Sequence, residues 1–366
     1  MKKILIFAPT APTSGITQYI LNILNTANLD GLEVDILSFK NDRLKKWAKE
    51  NGRKYYEFNI SMYKHPVKYK RFLSEVFSSG YSVVHYHLSS FSTLNIFKIA
   101  RKNGVKKIIL HSHSTFTDLP TKLRTIVFSF VHKLLRKKAC SFANVLCACS
   151  KLAAEWMFGN KKAEEAIILN NAVDISKFTY NKDIGLTVKE QLAINENFVI
   201  GNVGRFSRQK NQTFLVDVMS ELIKLRSDCA LVFVGDGADR ERVHAYSKEK
   251  GLDNKIWFVD FKEDVYKYYS AFDLFVLPSL FEGLPITLVE AQANGLRSLV
   301  SDTITAESNL TGLVEFCSLE NGSEFWAEKI SEILKNCERT DTQMALEEKG
   351  FSLSKQNDMV LELYRR

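Results

Sequence analysis

Short continuous apolar runs, each followed by a segment of helical pattern, recur along this chain in two separate series. In the first half they are Lys3–Ala8, Val34–Phe39, Tyr81–His87, Lys107–His111 and Asn144–Cys149. In the second they are Phe198–Gly204, Cys229–Val234, Ile256–Val259, Leu274–Leu277 and Ser298–Ser301. A strand that is apolar along its whole length has to be covered on both faces, which a parallel sheet flanked by helices provides. Two such series within 366 residues predict an α/β chain of two doubly wound, Rossmann-like domains facing across a cleft. The boundaries are set at 1–175 and 176–350, with the polar, strand-poor stretch between Val173 and Asn197 as linker. Ligands of such folds gather outside the carboxyl ends of the strands, so the cleft is the expected site.

With 45% hydrophobic and 25% charged residues, disorder and fibrous repeats are excluded. Apolar runs such as Ile126-Val127-Phe128 fall far short of the roughly 20 residues that span a bilayer. Ile4–Ala8 gives only five apolar residues before Pro9, shorter than the roughly 7–15 of a signal core. It is read as a buried first strand, and a cytoplasmic location is the expectation. Six cysteines without a Cys-x-x-Cys pair are read as small buried hydrophobes.

The charge is unevenly placed. Residues 1–170 hold 27 basic against 11 acidic side chains, a balance of +16. The remainder holds 23 against 31, a balance of −8. The first half should therefore meet an anionic partner: a membrane surface, a phosphorylated acceptor or a nucleic acid. Thr121–Lys138 has basic ends and an apolar middle, suiting either an interfacial amphipathic helix or an ordinary helix packed on the sheet. Lys40–Lys70 adds a basic region interleaved with Tyr55, Tyr56, Tyr63 and Tyr69.

The richest chemistry lies in Phe281–Gly295. A strand ends at Pro278-Ser279, a short loop carries Glu282-Gly283, and a helix starts near Pro285, with Gly295 just past its end. Amide groups at a helix N-terminus favour a diphosphate, and ionised Glu282 and Glu290 accept hydrogen bonds from sugar or ribose hydroxyls. Arg205 and Lys210 follow another strand end, with Arg208 between them. A planar guanidinium and a compact ammonium can converge there on one diphosphate. Leu110-His111-Ser112-His113 closes a strand at the cleft edge, and His85 and His87 end another, where they could shape the acceptor side. The His-x-His spacings are read as alternating faces, and with no cysteine pair or Asp-x-Asp no metal site is expected.

Glu282-x7-Glu290 with its Gly-Leu-Pro closely resembles the signature of family-4 glycosyltransferases of the GT-B fold. Gly204–Asn211, Gly235-Asp236-Gly237 and Asp273–Ser279 resemble further elements of that family, all in order within residues 198–302. The resemblance implies a retaining, metal-independent transferase of hexosyl or N-acetylhexosaminyl groups with no cofactor. Its donor would be a nucleotide-diphosphate sugar; uridine is favoured, with guanine and adenine users also known. Arg205 and Lys210 would hold the donor diphosphate, Glu290 the ribose, and Glu282 with the amides of Gly283 and Leu284 the donor sugar. Gly204 lies in the same element, and Lys262, within Phe261–Val265, stands where the family reads the base. Ser14-Gly15 resembles the family's glycine loop, though many members have Gly-Gly there. Either His111 or His113 would stand beside the donor sugar. The segment 351–366 resembles the closing helix that crosses back to the first domain. The acceptor would be a glycan or lipid-linked sugar in bacterial capsule or exopolysaccharide synthesis, with possible peripheral membrane contact and no nucleic acid partner.

Three rivals stand beside this reading. A nucleotide-sugar epimerase on a similar fold would need acid and base carboxylates at the sugar ring. A polyanion-binding protein fits a pI near 9.0 but has no recognition module. An inactive homologue that binds a partner enzyme sits poorly with intact Arg205, Lys210, Glu282 and Glu290.

Overall fold

The computed structural model describes residues 1–62, 64–114 and 122–366. Tyr63 and Thr121, named above, lie outside the described residues. The chain divides into two compact units, one of Met1–Asn170 with Ser354–Arg366, the other of Asn171–Leu353.

The first unit contains β1 (Lys2–Ala8), β2 (Leu32–Ser38), β3 (Tyr55–Glu57), β4 (Val83–Leu88), β5 (Lys107–Ser112), β6 (Val145–Ala148) and β7 (Ile167–Ile168). They form one sheet in the order β3-β2-β1-β4-β5-β6-β7, parallel throughout. The second contains β8 (Phe198–Val203), β9 (Cys229–Val234), β10 (Ile256–Val259), β11 (Leu274–Leu277), β12 (Ser298–Ser301) and β13 (Val314–Cys317). Their order is β10-β9-β8-β11-β12-β13, again all parallel. Both sheets start in the middle and wind outward in both directions. The direction reverses between β1 and β4 and between β8 and β11, and the chain leaves a crevice at such a point.

Burial explains the continuous apolar runs, since all six residues of β9 are buried. Each sheet separates two apolar clusters, one under each helical layer. The stretch between Val173 and Asn197 is not a linker. It forms the helices Ile175–Phe178 and Lys182–Gln191, capped by the side chains of Asp174 and Asn181. Val173, Ile175, Phe178, Val188 and Ile194 join the second unit's core. The few apolar residues there are spaced to reach inward, which average polarity conceals.

The helix Leu353–Arg365 places Val360, Leu361, Leu363 and Tyr364 in the core of the first unit. Asn357 Nδ2 donates to Thr26 Oγ1 at 2.8 Å and Lys107 Nζ to the Leu363 carbonyl at 2.7 Å. Among the described residues no helix is long and apolar enough to cross a membrane. Five of the six cysteines are buried, and burial pushes the thiols of Cys147 and Cys149 up to about 12.

Candidate active site

In the second unit the two innermost strands deliver the candidate residues. After β8 the chain passes Gly204, leaves Arg205 exposed and turns Phe206 into the core. A short 3-10 turn, Arg208–Lys210, follows. Asn211 then takes a left-handed conformation, φ +55, immediately before the helix Gln212–Leu225. Asparagine tolerates that conformation better than most side chains. After β11 comes Pro278–Leu284, joined to the first loop by two bonds. The Leu280 amide donates to the Gln209 carbonyl at 2.8 Å, and Gln209 Nε2 donates to the Phe281 carbonyl at 3.0 Å. The two loops of the sheet's reversal point are thus one structure.

Across that junction Lys210 Nζ meets Glu282 Oε1 at 2.7 Å, with the two side chains 14% and 10% exposed. Ser279 Oγ donates to the same carboxylate oxygen at 3.0 Å. Pro285 caps the helix Ile286–Ala293 from outside its first turn, one position earlier than expected of a proline within that turn. The amides of Gly283 and Leu284 donate to no protein group among the described residues. Asn171 Nδ2 donates to the Leu284 carbonyl at 2.8 Å and fixes the loop from below. Gly235 holds the third loop against the first: at φ +151 a Cβ there would lie 2.1 Å from the Gly204 carbonyl oxygen. The Gly-Asp-Gly motif is therefore a requirement of close backbone packing.

Glu290, on the helix Ile286–Ala293, is 6% exposed and accepts a 2.8 Å hydrogen bond from the Tyr269 hydroxyl. Burial pushes its carboxyl up to about 7, against the opposing pull of Tyr269 and of the Lys210 and Lys177 charges. The folded protein thus holds a proton that the unfolded chain releases from about pH 4.5 upward. Stability is lost as pH rises through that window, by about 3 kcal/mol once pH exceeds 7. Glu290→Gln is expected to unfold later in denaturant than the natural protein at pH 8, by up to ~3 kcal/mol, and to lose that advantage toward pH 4.5. An equal difference at both pH values would refute the assignment.

The first unit brings its four strand-end histidines together. His85 and His87 of β4 lie with ring centroids 4.1 Å apart, as do His111 and His113 at the end of β5. Residues two apart on a strand share a face, so the expectation that the His-x-His spacings separate the rings is corrected. His85 Nε2 lies 3.2 Å from His111 Nδ1, and His87 Nδ1 lies 2.8 Å from His113 Nε2. The other nitrogen of His85 meets the Tyr364 hydroxyl at 2.8 Å. Tyr19 packs over His87, His111 and His113. His87 Nε2 and His111 Nε2 are buried without a partner among the described residues. Burial drives all four imidazoles down, His85 and His113 to about 3, so they are neutral.

The expectation of His85 on the acceptor side is likewise corrected, since it is fully buried with both nitrogens engaged inside the protein. His87 is 2% exposed and His111 1%, whereas His113, beyond the last residue of β5, retains partial exposure. Ser14 caps the helix Gly15–Thr26 through the Thr17 amide, and a Cβ on Gly15 would meet nothing. Packing within the unit therefore does not require a glycine at that position.

The structure thus pairs Lys210 with Glu282, next to Gly283 and Leu284 in sequence, and sets Glu290 within the electrostatic reach of Lys210. Arg205 shares the loop of Lys210 but is exposed, and Lys262 is exposed as well. Sequence reasoning missed Tyr269, which sits 21 residues from Glu290 and has no local signal. It also missed the Tyr19 and Tyr364 packing around the histidines.

Two family models match the chain: "Glycosyltransferase Family 4" over residues 13–177 and "Glycosyl transferases group 1" over 186–351. The Bacillus subtilis protein EpsF, named as a glycosyltransferase, is 30% identical over 87% of this chain and 84% of its own. An Escherichia coli UDP-Gal:alpha-D-GlcNAc-diphosphoundecaprenol alpha-1,3-galactosyltransferase is 26% identical over 78% and 75%. The crystal structure of Anabaena HepE with UDP and glucose superposes with a TM-score of 0.79, covering 99% of both chains at 16% identity.

Proposed function

The chain belongs to the group 1 and family 4 glycosyltransferases, and from that premise we propose that it moves a hexosyl or N-acetylhexosaminyl group from a UDP-sugar to a hydroxyl of a lipid-linked or free glycan, with retention, in the synthesis of bacterial capsule or exopolysaccharide. The observation that carries this reading is the Lys210–Glu282 pair at the reversal point of the second sheet, with Glu290 behind it. Lys210 and the exposed Arg205 bind the diphosphate and neutralise charge as it leaves, a role a divalent ion would otherwise take. Glu290 accepts hydrogen bonds from the ribose hydroxyls, and Glu282 with the amides of Gly283 and Leu284 holds the donor sugar. Lys262 stands at the base. The sugar C1–O bond to the β-phosphate breaks while the acceptor oxygen bonds to C1 on the same face. The acceptor's proton passes to the departing diphosphate, so no protein nucleophile is needed. The UDP-linked names of the E. coli relative and the HepE complex support the donor class, and the diphosphoundecaprenol name supports an acceptor at a membrane.

A screen of nucleotide sugars tests the reading by thermal stabilisation and by slow donor hydrolysis. A UDP-sugar is expected to raise the melting temperature and to be hydrolysed equally well with and without chelator. Stabilisation by no nucleotide sugar would remove the donor assignment. Hydrolysis that stops with chelator and returns with added magnesium or manganese would remove the metal-independent one.

A further inference from the structure

We infer that Tyr269 is a positioning residue for the donor nucleoside, its hydroxyl holding one oxygen of the Glu290 carboxyl so that the other is presented to the ribose; this rests on the ribose-binding role proposed for Glu290 and deepens it. Thr287 and Glu290 are three apart on the helix Ile286–Ala293 and so share a face. A single hydroxyl reaches both: Tyr269 Oη lies 3.0 Å from the Thr287 carbonyl oxygen and 2.8 Å from Glu290 Oε2. Glu290 Oε1 accepts no hydrogen bond among the described residues and is the oxygen left for a ligand.

The hydroxyl is itself fixed in place. Tyr269, on the helix Tyr266–Ala271, is fully buried, its ring edge-on to Phe178 and Phe272 with centroids 5.6 and 5.9 Å away. Arg339 ties this helix to that of Glu290. Its Nη2 donates to the Tyr269 carbonyl at 3.1 Å, and its Nη1 donates at 2.6 Å to Oδ1 of Asn294, just past the end of Ile286–Ala293. A planar guanidinium suits this bridge, and its charge complements the carboxyl ends of both helices.

One hydroxyl proton facing two acceptors suits a carboxyl that titrates. With Glu290 ionised, Tyr269 donates to Oε2. With Glu290 protonated on Oε2, the carboxyl donates to Tyr269 Oη, and the hydroxyl proton turns to the Thr287 carbonyl, which can only accept. In neither state does this pair leave a buried group unbonded, and in both Oε1 stays free. Ribose hydroxyls bond more strongly to the ionised form. Tyr269 favours that form against burial, as do the charges of Lys210, from the turn Arg208–Lys210, and of Lys177, from the helix Ile175–Phe178.

Calorimetric binding of UDP and of its dideoxyribose analogue to the full chain, natural and Tyr269→Phe, tests this. The natural protein is expected to prefer UDP at least ~10-fold. Tyr269→Phe should weaken UDP ~10-fold at neutral pH and leave the analogue within ~2-fold, so that the preference nearly disappears. A loss of folded protein would weaken both nucleotides alike, which the ratio separates. With a UDP-sugar, KM should rise while kcat stays within ~2-fold. The pH at which UDP affinity reaches half its plateau should move upward from about 7, because the variant lacks a bond that favours the ionised carboxyl. Equal weakening of both nucleotides, or an unchanged preference, overturns the inference. Equal binding of both by the natural protein would remove the ribose role of Glu290 instead. Carbon NMR of protein labelled at the glutamate carboxyl then decides Tyr269 by itself. A resonance absent from Glu290→Gln that titrates at higher pH in Tyr269→Phe upholds the grip on the carboxyl, and one that titrates unchanged refutes it.

Discussion

Replacing Lys210 with alanine is expected to slow glycosyl transfer by ~10²–10³-fold, the range for loss of one preorganised group that stabilises developing charge. The same change removes the partner of a nearly buried carboxylate, since Glu282 is 10% exposed and 2.7 Å from Nζ. Breaking one side of such a pair costs about 3 kcal/mol. It also removes a charge that holds the Glu290 carboxyl down, so Glu290 rises further. Activity loss alone would not distinguish chemistry from folding. Lys210→Met with Glu282→Gln separates them, because two neutral side chains of similar size leave no unpaired charge. That double variant should recover most of the lost stability, measured by denaturant unfolding, while transfer stays at the single variant's level or below. Transfer near the natural rate in the double variant would show the pair to be structural.

The site was legible where it is local in sequence. Glu282, Gly283 and Leu284 follow a buried strand within a few residues, and Arg205 and Lys210 follow another. The reversal point that joins the two loops follows from strand order, which two wound series imply. Partners brought in by packing were not legible. Tyr269 reaches Glu290 from a neighbouring helix, and Gln209 ties its loop to one about seventy residues away, a separation read from its bond to Phe281. Two edge strands of the first sheet were missed for a physical reason too. β3 and β7 have three and two residues, only partly buried or exposed, so they lack the apolar run that marks an inner strand. The histidines are the reverse case. Their positions were plain, but period two places them on one face, and two neighbouring strands then make four rings into one cluster.

That cluster carries the second large expectation, unfolding of the first unit in mild acid. Each of the four imidazoles is held well below its usual value of 6.5 by burial, His85 and His113 at about 3. The unfolded chain therefore takes up protons below about pH 6.5 that the folded unit refuses. The stability due to keeping these groups neutral is complete above 6.5 and is lost progressively toward the folded values. The slope is about 1.4 kcal/mol per pH unit for each histidine, or about 5 kcal/mol per unit for four. A domain stable by about 5–15 kcal/mol would be exhausted within one to three units. Glu290 runs the other way, since the second unit gains stability as pH falls from about 7 to 4.5. Hydrogen exchange resolved by peptide reads the two units separately. On acidification, peptides of β4 and β5 should lose protection steeply while those of β8 and β11 keep theirs. His87→Leu, which removes one titrating ring, should make the first unit's loss shallower by about 1.4 kcal/mol per pH unit. Protection in β4 and β5 that persists to pH 4, or a slope unchanged in His87→Leu, would mean that the rings do not govern the acid stability of this unit.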